Sequence, residues 1–340
     1  MIIAASSTVK LADRFYAQAR KAFEWALPLV SEEEGFRGAG PFINAYYKAP
    51  TAFISAGYGY EARVLTSFIA RTFHKEGDFH NLPNDPTALT LNSYRNAWIA
   101  RGMHAAGRYD LALGAYARMA RTLSPSGGAV TQSLVHLGAA EIEFASTANQ
   151  VISCLFAGQM EIAERSGHCL LQFIADQPVL DGPFCHRRTL DGTLIAGDIS
   201  GMIRSLYLTD VGVPDQMYWF LGIGMKALAS LARATGKKHW LDGAQNLKAR
   251  FEHCAPDRFE SITNGKVAWG LAEIYDLSGV SKDKEMMLQC IESQIAKQHA
   301  GGYWLRSNTA SLDTEPLNVT LDTTLERGFQ LLEVSRVIAR

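Results

Sequence analysis

The chain has 340 residues, almost half of them apolar, and its 33 basic and 34 acidic residues give a formal net charge of −1. Residues of both signs are interspersed, so the chain lacks the basic region that binds nucleic acid or an anionic membrane surface. We expect neither as a partner. The length does not require two domains, because repeat folds reach this size as one unit.

The five cysteines are odd in number and include no C-x-x-C pair, which argues against a disulfide framework and against a thiolate zinc site. The chain starts without the basic segment and sustained apolar run of a secretory signal. Its most apolar stretch, residues 217–232, is interrupted by Lys226 and is short for a bilayer span. We expect a soluble, cytoplasmic protein.

From the N-terminus onward, helical segments end at a glycine and a second helix follows almost at once, as at Gly57, Gly107, Gly158, Gly236 and Gly279. Glycine adopts the left-handed conformation that ends a helix and turns the chain tightly. The pattern predicts helical hairpins. The predicted first helices span residues 42–57, 92–107, 141–157, 215–235, 260–278 and 322–338, and the second helices span 8–30, 59–75, 109–123, 159–177, 237–254 and 282–298.

The two ends of the chain complete each other. The helix at 8–30 behaves as a second helix without its first, and the helix at 322–338 as a first helix without its second. A tetratricopeptide-like spiral competes, but the period here is roughly 43 to 78 residues instead of about 34. The sequence therefore predicts an all-α protein with one domain, 1–340. Its expected fold is a closed (α/α)6 toroid with first helices inside and second helices outside.

Long loops precede the first helices, so the helix N-termini should gather on one face around a central cavity, the usual kind of small-molecule site. The residues that open these helices are unusually polar and aromatic for core positions. Single residues of this set could be caps or core, but together they predict a lined pocket. The expected substrate-binding residues are Tyr46, Tyr47, Arg95, Trp98, Asn149, Gln150, Tyr218, Trp219, Trp269, Trp304 and Glu326.

Asp322, in the segment L-D-T-T-L-E, is the most informative acid, because at the start of an inner helix it would face the cavity. A helix N-cap is the alternative interpretation. The segment Gln298-His-Ala-Gly-Gly-Tyr-Trp304 resembles the Q-x3-G-x-W repeat of terpenoid cyclases, and D-T-T-L-E is similar to their D-C-T-A-E segment. The resemblance implies the toroid fold shared by these cyclases and the protein prenyltransferases. It also implies that Asp322 donates a proton and that Trp98, Trp219 and Trp269 stabilise cationic intermediates.

The longest loop carries a second neighbourhood, Phe184-Cys-His186-Arg-Arg188, followed by Asp198. His186 is a candidate acid or base, with Arg187 or Arg188 holding an anionic group. This arrangement also suits carbohydrate-active toroids such as six-hairpin glycosidases, unsaturated-uronide hydrolases and sugar epimerases, which resemble this architecture. In such an enzyme Asp322 with Asp215 or Asp198 would form the acid and base pair.

The leading hypothesis is therefore an enzyme that acts on a small, largely apolar substrate by acid-initiated cyclisation or isomerisation. The catalytic candidates are Asp322, His186, Asp215 and Asp198. A carbohydrate hydrolase or epimerase and a non-catalytic helical-repeat scaffold are the alternatives. An apolar cavity with one isolated acid would favour cyclisation, and a polar cavity with carboxylates or histidines would favour carbohydrate chemistry. We expect no cofactor and no metal, since no two histidines have the spacing of a helical metal pair. The sequence leaves a homodimer open.

Overall fold

The computed structural model describes residues 2–80, 88–136, 138–177, 179–197, 199, 201–307 and 310–340. The described chain is mainly helical, with twelve helices of seven residues or more and one of four. In chain order they are α1 (Ile2–Ala26), α2 (Ala49–Ser55), α3 (Gly59–Phe73), α4 (Ala88–Ala105), α5 (Tyr109–Arg121), α6 (Phe144–Phe156), α7 (Met160–Ala175), α8 (Gly201–Arg204), α9 (Trp219–Thr235), α10 (Lys238–His253), α11 (Gly265–Ser278), α12 (Ser281–Ala296) and α13 (Leu317–Ile338).

The twelve longer helices correspond in order to the twelve predicted ones, and the prediction of helical hairpins is confirmed. The glycine turns are the reason for the hairpins: Gly236 ends α9 and Gly279 ends α11, each with a left-handed backbone (φ +68° and +67°). The starts of five first helices differ from the predicted ones by four or more residues: α2 begins at 49 instead of 42, α4 at 88 instead of 92, α11 at 265 instead of 260, and α9 and α13 differ likewise. Helix α9 begins at Trp219 instead of 215, and α13 begins at Leu317 instead of 322.

Short strands occupy the loops that precede the first helices. They are β1 (Val30–Ser31), β2 (Gly35–Phe36), β3 (His74–Lys75), β4 (Asp78–Phe79), β5 (Val130–Gln132), β6 (Ala140–Glu143), β7 (Phe184–Cys185), β8 (Arg187–Thr189) and β9 (Leu208–Thr209). All pairs are antiparallel: β1 with β2, β3 with β4, β7 with β9, and β6 between β5 and β8. These strands give loop backbone groups hydrogen-bond partners and so fix the loops.

The chain divides into two compact units. The first consists of residues 1–86, 98–115 and 291–340. In this unit the N-terminal helix α1 packs along the C-terminal helix α13, and α2 packs on α3 and α13. The hydroxyl of Ser335 donates a 3.0 Å hydrogen bond to the carbonyl of Ala12. The prediction that the first and last helices are partners is confirmed.

The second unit consists of residues 87–97 and 116–290. Helix α9 is its centre and packs against α6, α10 and α11. Gly222 and Gly270 allow the close approach of α9 and α11, because a Cβ at Gly222 would overlap the backbone of Val267 and one at Gly270 the carbonyl of Gly222. In contrast to the nearly continuous burial of α9, helix α10 buries one stripe, Trp240, Ala244, Leu247 and Phe251.

Candidate functional site

A cluster of three charged side chains lies in the first unit. Lys48 directly precedes α2, and its ammonium nitrogen lies 2.7 Å from Oδ1 of Asp322 and 2.7 Å from Oε2 of Glu326. The exposed fractions of the three side chains are 5%, 23% and 14%. Asp322 and Glu326 are four residues apart on α13, so they face the same side of that helix. One mostly buried cation therefore holds two carboxylates.

Asp322 does not start its helix. Because α13 begins at Leu317, Asp322 lies in the second helical turn, and the residue that precedes the helix is Pro316. The alternative interpretation of Asp322 as an N-cap is therefore wrong. Neither is Asp322 the isolated acid that cyclisation requires, because it is ion-paired with Lys48.

The predicted aromatic residues of the first unit are packed. Tyr46 is fully buried, and its hydroxyl donates to the carbonyl of Gly40 at 2.9 Å. Burial raises the pKa of Tyr46 above its usual value of 10.0. Tyr47 lies beside Lys48, with 4.7 Å between the ammonium and the ring centre. Trp98 is covered by the guanidinium of Arg101 at 4.0 Å. Tyr47 therefore lies next to the charged cluster, whereas Tyr46 is a packed residue of the core.

Trp304 belongs to the turn that connects α12 to α13 and packs against α1. Its indole N–H donates to the carbonyl of Gln294 at 2.8 Å, and its backbone N–H donates to the hydroxyl of Thr324 at 3.0 Å. The side-chain amide of Gln298 donates to the carbonyls of Gln18 and Gly302, at 3.0 and 2.8 Å. Gln298 and Trp304, two residues of the segment that resembles terpenoid cyclases, thus form hydrogen bonds that fix this turn to its neighbouring helices.

Three polar side chains of the second unit share one face of α6: Ser146, Asn149 and Gln150 are all buried. The amide of Asn149 donates to the carbonyl of Tyr94 on α4 at 2.8 Å. Ser146 Oγ, Asn149 Oδ1 and Gln150 Nε2 have no hydrogen-bond partner among the described residues. Buried polar atoms are nearly always paired, so this face is unusual for a helix core. Arg95, next to Tyr94 in sequence, is also buried.

Trp219 and Trp269 lie on the neighbouring helices α9 and α11. Trp219 stacks on Phe220, with 3.9 Å between ring centres, and meets the edge of Tyr94 at 5.8 Å. The ammonium of Lys266 lies 4.6 Å from the Trp219 ring. The ammonium of Lys226 lies 5.0 Å from the ring of Trp269. Trp219 remains partly exposed, whereas Trp269 is buried.

Tyr218 and Asp215 precede α9. Because the helix begins at Trp219, Asp215 lies in an exposed loop with a left-handed backbone (φ 57°), and its N–H donates to Oδ2 of Asp257 at 2.6 Å. The Tyr218 hydroxyl donates to Oδ1 of the same Asp257 at 3.1 Å. Burial, followed by the nearby Asp257 carboxylate, raises the pKa of Tyr218. Both residues attach the loop that precedes α9 to Asp257. The prediction that Asp215 starts this helix is wrong, because the helix begins at Trp219.

His186 is fully buried between β7 and β8. Its Nε2 lies 2.8 Å from the hydroxyl of Thr209, and its ring stacks on Phe220 with 3.6 Å between centres. Burial, followed by the charge of Arg187, lowers the pKa of His186 well below 6.5. The imidazole is therefore neutral at neutral pH and has no exposed surface.

The two arginines beside His186 already have acidic partners. Arg187 pairs with the buried Glu141 at 3.2 Å, and Arg188 pairs with Asp176. They are therefore engaged in holding the loop instead of being available to an anionic group. Asp198, the remaining acid predicted for this loop, lies outside the described residues.

A basic side chain accompanies each of five predicted aromatic residues. The pairs are Tyr47 with Lys48, Trp98 with Arg101, Trp219 with Lys266, Trp269 with Lys226, and Trp304 with Arg327 at 5.8 Å. Burial lowers the pKa of Arg327 to about 10, so it stays charged at neutral pH. The negative ring faces thus already stabilise protein cations. The sequence signal for these partners was a lone basic residue inside an apolar helix, as at Arg101 and Lys226.

No group of three or more His, Cys, Asp or Glu side chains among the described residues is arranged to hold a metal ion. No helix in the described part of the chain is long and apolar enough to cross a membrane.

No protein-family model matches the chain, and no curated protein is similar to it in sequence. Several solved structures are similar in fold. The GH76 alpha-mannanase of Bacteroides thetaiotaomicron is 13% identical, with a TM-score of 0.64 over 94% of this chain and 95% of that chain. A D-mannose isomerase is 13% identical, with a TM-score of 0.63 over 94% and 97%. A variant of the type II terpene cyclase MstE of Scytonema, in complex with its substrate geranylgeranyl dihydroxybenzoate, is 13% identical, with a TM-score of 0.59 over 96% and 99%.

All of these proteins are (α/α)6 toroids. The likeness over nearly the whole chain shows that this protein has the same all-α fold, as its sequence predicted. At such low identity it shows the fold alone.

Proposed function

We propose that the protein is a sugar isomerase or epimerase, which moves a proton between neighbouring carbon atoms of a polyhydroxylated substrate. The observation that carries this proposal is the position of Lys48, 2.7 Å from both Asp322 and Glu326. The cluster is polar and contains two carboxylates, the arrangement that distinguishes carbohydrate chemistry from cyclisation of an apolar substrate. The similarity in fold to a D-mannose isomerase agrees with the proposal.

The charged cluster offers the two groups that such a reaction needs. A carboxylate, Asp322 or Glu326, takes the proton from the carbon next to the sugar carbonyl; the electron pair of that C–H bond forms a C=C bond to the carbonyl carbon, and the π pair of the carbonyl moves onto its oxygen. The Lys48 ammonium stabilises the negative charge that develops on this oxygen. In an isomerase the hydroxyl of the deprotonated carbon passes its proton to the oxyanion and becomes the new carbonyl, while the carboxylic acid returns its proton to the former carbonyl carbon. In an epimerase the intermediate turns its other face to the acid, which returns the proton to the same carbon as the carbonyl re-forms.

Hydrolysis of a glycoside is less well supported by this cluster. Glycosidases place two carboxyl groups on either side of the scissile bond, and one of them must donate a proton. Asp322 and Glu326 instead lie on one side of one helix, and both are paired with the same ammonium. Their arrangement suits one base with a neighbouring cation.

Acid-initiated cyclisation of an apolar substrate is also less well supported. Its intermediates are carbocations, and the proposed aromatic residues Trp98, Trp219 and Trp269 each already lie beside a basic side chain. A second positive charge at these rings would be repelled. The Lys48 ammonium of the charged cluster favours instead a reaction whose intermediate is an anion, such as an enediolate.

The test is solvent exchange at carbon. The purified protein is incubated in D₂O with aldoses, ketoses and uronic acids, and NMR follows deuterium incorporation next to the carbonyl together with any new sugar. Asp322→Asn and Glu326→Gln are compared with Glu333→Gln. That control lies on the same helix, α13, and removes a carboxylate that pairs with the exposed Arg336.

We expect the wild type to exchange at least one sugar. At least one of the two cluster variants should lose the rate by about 100-fold or more, the usual contribution of a general base, and the control should retain it. Release of a reducing sugar from a glycoside without exchange would favour the hydrolase alternative. Cyclisation of a terpenoid that needs Asp322 would favour the original hypothesis. Either result would overturn the proposal.

A further inference from the structure

We infer that the two carboxylates of the charged cluster have different roles. Asp322 takes the proton from the substrate carbon, and Glu326 is a positioning residue that holds the Lys48 ammonium in place. This assignment rests on the proposed function, in which either carboxylate serves as the base, and it names the base of that reaction. All three residues belong to the first unit.

The four carboxylate oxygens of the cluster differ in what surrounds them. Oε2 of Glu326 accepts a 2.7 Å hydrogen bond from the Lys48 ammonium, and Oε1 of Glu326 is buried. Oδ1 of Asp322 is also buried and lies 2.7 Å from the same ammonium. Oδ2 of Asp322 has no hydrogen-bond partner among the described residues, and 23% of the Asp322 side chain is exposed, against 14% for Glu326. A base needs a lone pair within reach of the proton that it removes, and Oδ2 of Asp322 meets this condition best.

The Lys48 ammonium is directed at Glu326 and not at Asp322. Its distance to the two carboxylates is the same, but Oε2 of Glu326 also meets the angular requirements of a hydrogen bond. Oδ1 of Asp322 accepts no hydrogen bond from the described part of the chain. Since a charge-assisted hydrogen bond fixes direction as well as distance, Glu326 orients the ammonium toward the developing oxyanion.

Glu326 also acts on a second cation. Arg327 follows it on α13 and is buried. Burial lowers the pKa of Arg327 to about 10, and the negative charge of Glu326 acts in the opposite direction. Because Glu326 offsets the charges of both Lys48 and Arg327, taking up a substrate proton there would leave two cations with less compensation. A positioning residue keeps its charge throughout the reaction, whereas a base alternates between carboxylate and carboxylic acid.

The first experiment is chemical rescue of a matched pair of variants. Asp322→Ala and Glu326→Ala each remove one carboxylate, one helical turn apart on α13, and leave space for a small acid. Deuterium exchange next to the sugar carbonyl is measured with sodium formate and with sodium chloride at the same ionic strength. We expect Asp322→Ala to lose the rate by about 100-fold or more and formate to restore about 10-fold of it. Glu326→Ala should lose about 10-fold, through misplacement of Lys48, and gain nothing from formate.

The second experiment observes Lys48 directly, so it does not depend on turnover. Proton–nitrogen NMR of the ¹⁵N-labelled protein records the lysine ammonium groups, and the Lys48 signal is identified by its absence in Lys48→Met. A buried, hydrogen-bonded ammonium exchanges its protons with water slowly. The signal should be lost or broadened in Glu326→Ala and retained in Asp322→Ala.

Exchange that survives in Asp322→Ala without formate would overturn the assignment of the base, as would rescue of Glu326→Ala alone. A Lys48 signal that is lost equally in both variants would overturn the positioning role. Where circular dichroism shows that an alanine variant fails to fold, the isosteric variants decide. Glu326→Gln keeps an oxygen that accepts from Lys48 and should retain the rate within about 10-fold, whereas Asp322→Asn should not.

Failure of the proposed function has a different outcome. If the wild type exchanges no sugar, the reaction is wrong and Asp322 loses its role as base, but the NMR comparison still decides which carboxylate holds Lys48. If the wild type exchanges a sugar and Glu326→Gln loses the rate by about 100-fold while Asp322→Asn keeps it, the reaction stands and the two roles are reversed.

Discussion

Lys48 and Asp322, which lie near opposite ends of the sequence, form an ion pair of 2.7 Å in which the lysine is almost buried. Glu326 shares the same ammonium at 2.7 Å. Replacement of Lys48 by methionine would leave two partly buried carboxylates without their cation. We expect a loss of about 3 kcal/mol in the free energy of unfolding, the lower end of the range for breaking a buried pair. Urea unfolding measures it.

The triple variant Lys48→Met, Asp322→Asn, Glu326→Gln is the control for this loss. It removes all three charges, so no unpaired carboxylate remains, and most of the stability should return. If Lys48→Met alone unfolds at the wild-type urea concentration, the ion pair does not contribute to stability and the burial of Lys48 is not as described.

Protonation of His186 should couple stability to pH. Its pKa is well below 6.5 in the folded protein because it is buried, whereas the unfolded chain takes up a proton near 6.5. Below that pH unfolding binds a proton, so the stability falls as the pH falls. The expected slope from this residue approaches about 1.4 kcal/mol per pH unit below 6.5 and vanishes above about 7.5. Unfolding free energies between pH 5 and pH 8 measure it.

The variant His186→Gln lacks this proton uptake. It should be less stable than the wild type at pH 8 but should show a shallower decline toward pH 5. His239→Gln is the control, because His239 is exposed. An unchanged slope in His186→Gln would mean that His186 titrates normally in the folded protein and is not enclosed.

Replacement of Gly302 tests how the turn that follows α12 packs against α1. Its backbone is left-handed (φ +95°), and a Cβ there would overlap the carbonyl oxygen of Lys21 on α1. Gly302→Ala should therefore cost about 3 kcal/mol, from strain and from displacement of α1. Gly279→Ala is the matched control, since its φ is +67° and no atom lies within 4 Å of the added Cβ. It should cost only about 1 kcal/mol. Equal melting temperatures for the two variants would contradict the packing of α1 against this turn.

Two adjacent residues of α6 should respond oppositely to loss of their hydroxyl. Ser146 Oγ has no hydrogen-bond partner among the described residues, whereas Thr147 Oγ1 accepts from the N–H of Ala129 at 3.0 Å and donates to the carbonyl of Glu143 at 2.8 Å. Ser146→Ala should leave the protein unchanged or stabilise it by up to about 1 kcal/mol, and Thr147→Val should cost about 1–2 kcal/mol. Thermal unfolding measures both. A large loss in Ser146→Ala would show that its hydroxyl has a partner, such as a bound water.

The fold was accessible from the sequence because its signals are local. A glycine such as Gly236 or Gly279 ends a helix by its own backbone preference, and the next apolar segment starts the second helix of the pair. Helix ends were therefore predicted well, but the starts of five first helices, α2, α4, α9, α11 and α13, were not. No glycine marks the start of α13, and the residue that marks it is Pro316, which directly precedes the helix. This error placed Asp322 at the start of its helix instead of in its second turn.

The candidate site was accessible only in part. The sequence selected polar and aromatic residues near helix starts, including Asp322 and Trp219, but it did not indicate what each of them contacts. The ion pair of Asp322 with Lys48 joins distant parts of the chain. The pairing of Arg187 with Glu141 is likewise long-range. Such pairs depend on which helix faces meet, and spacing along the chain carries no record of that.

The sequence by itself determined the helical hairpins, the partnership of α1 with α13 and the fold class, because backbone preferences of glycine and the periodic burial of apolar side chains act over a few residues. Only the tertiary structure decided which groups the charged and titratable side chains contact. It joined Lys48 to two carboxylates, placed basic side chains beside the aromatic rings and enclosed His186. Charge interactions act through space, at distances of a few ångströms that chain order does not specify, and here they favour proton transfer on a sugar over carbocation chemistry.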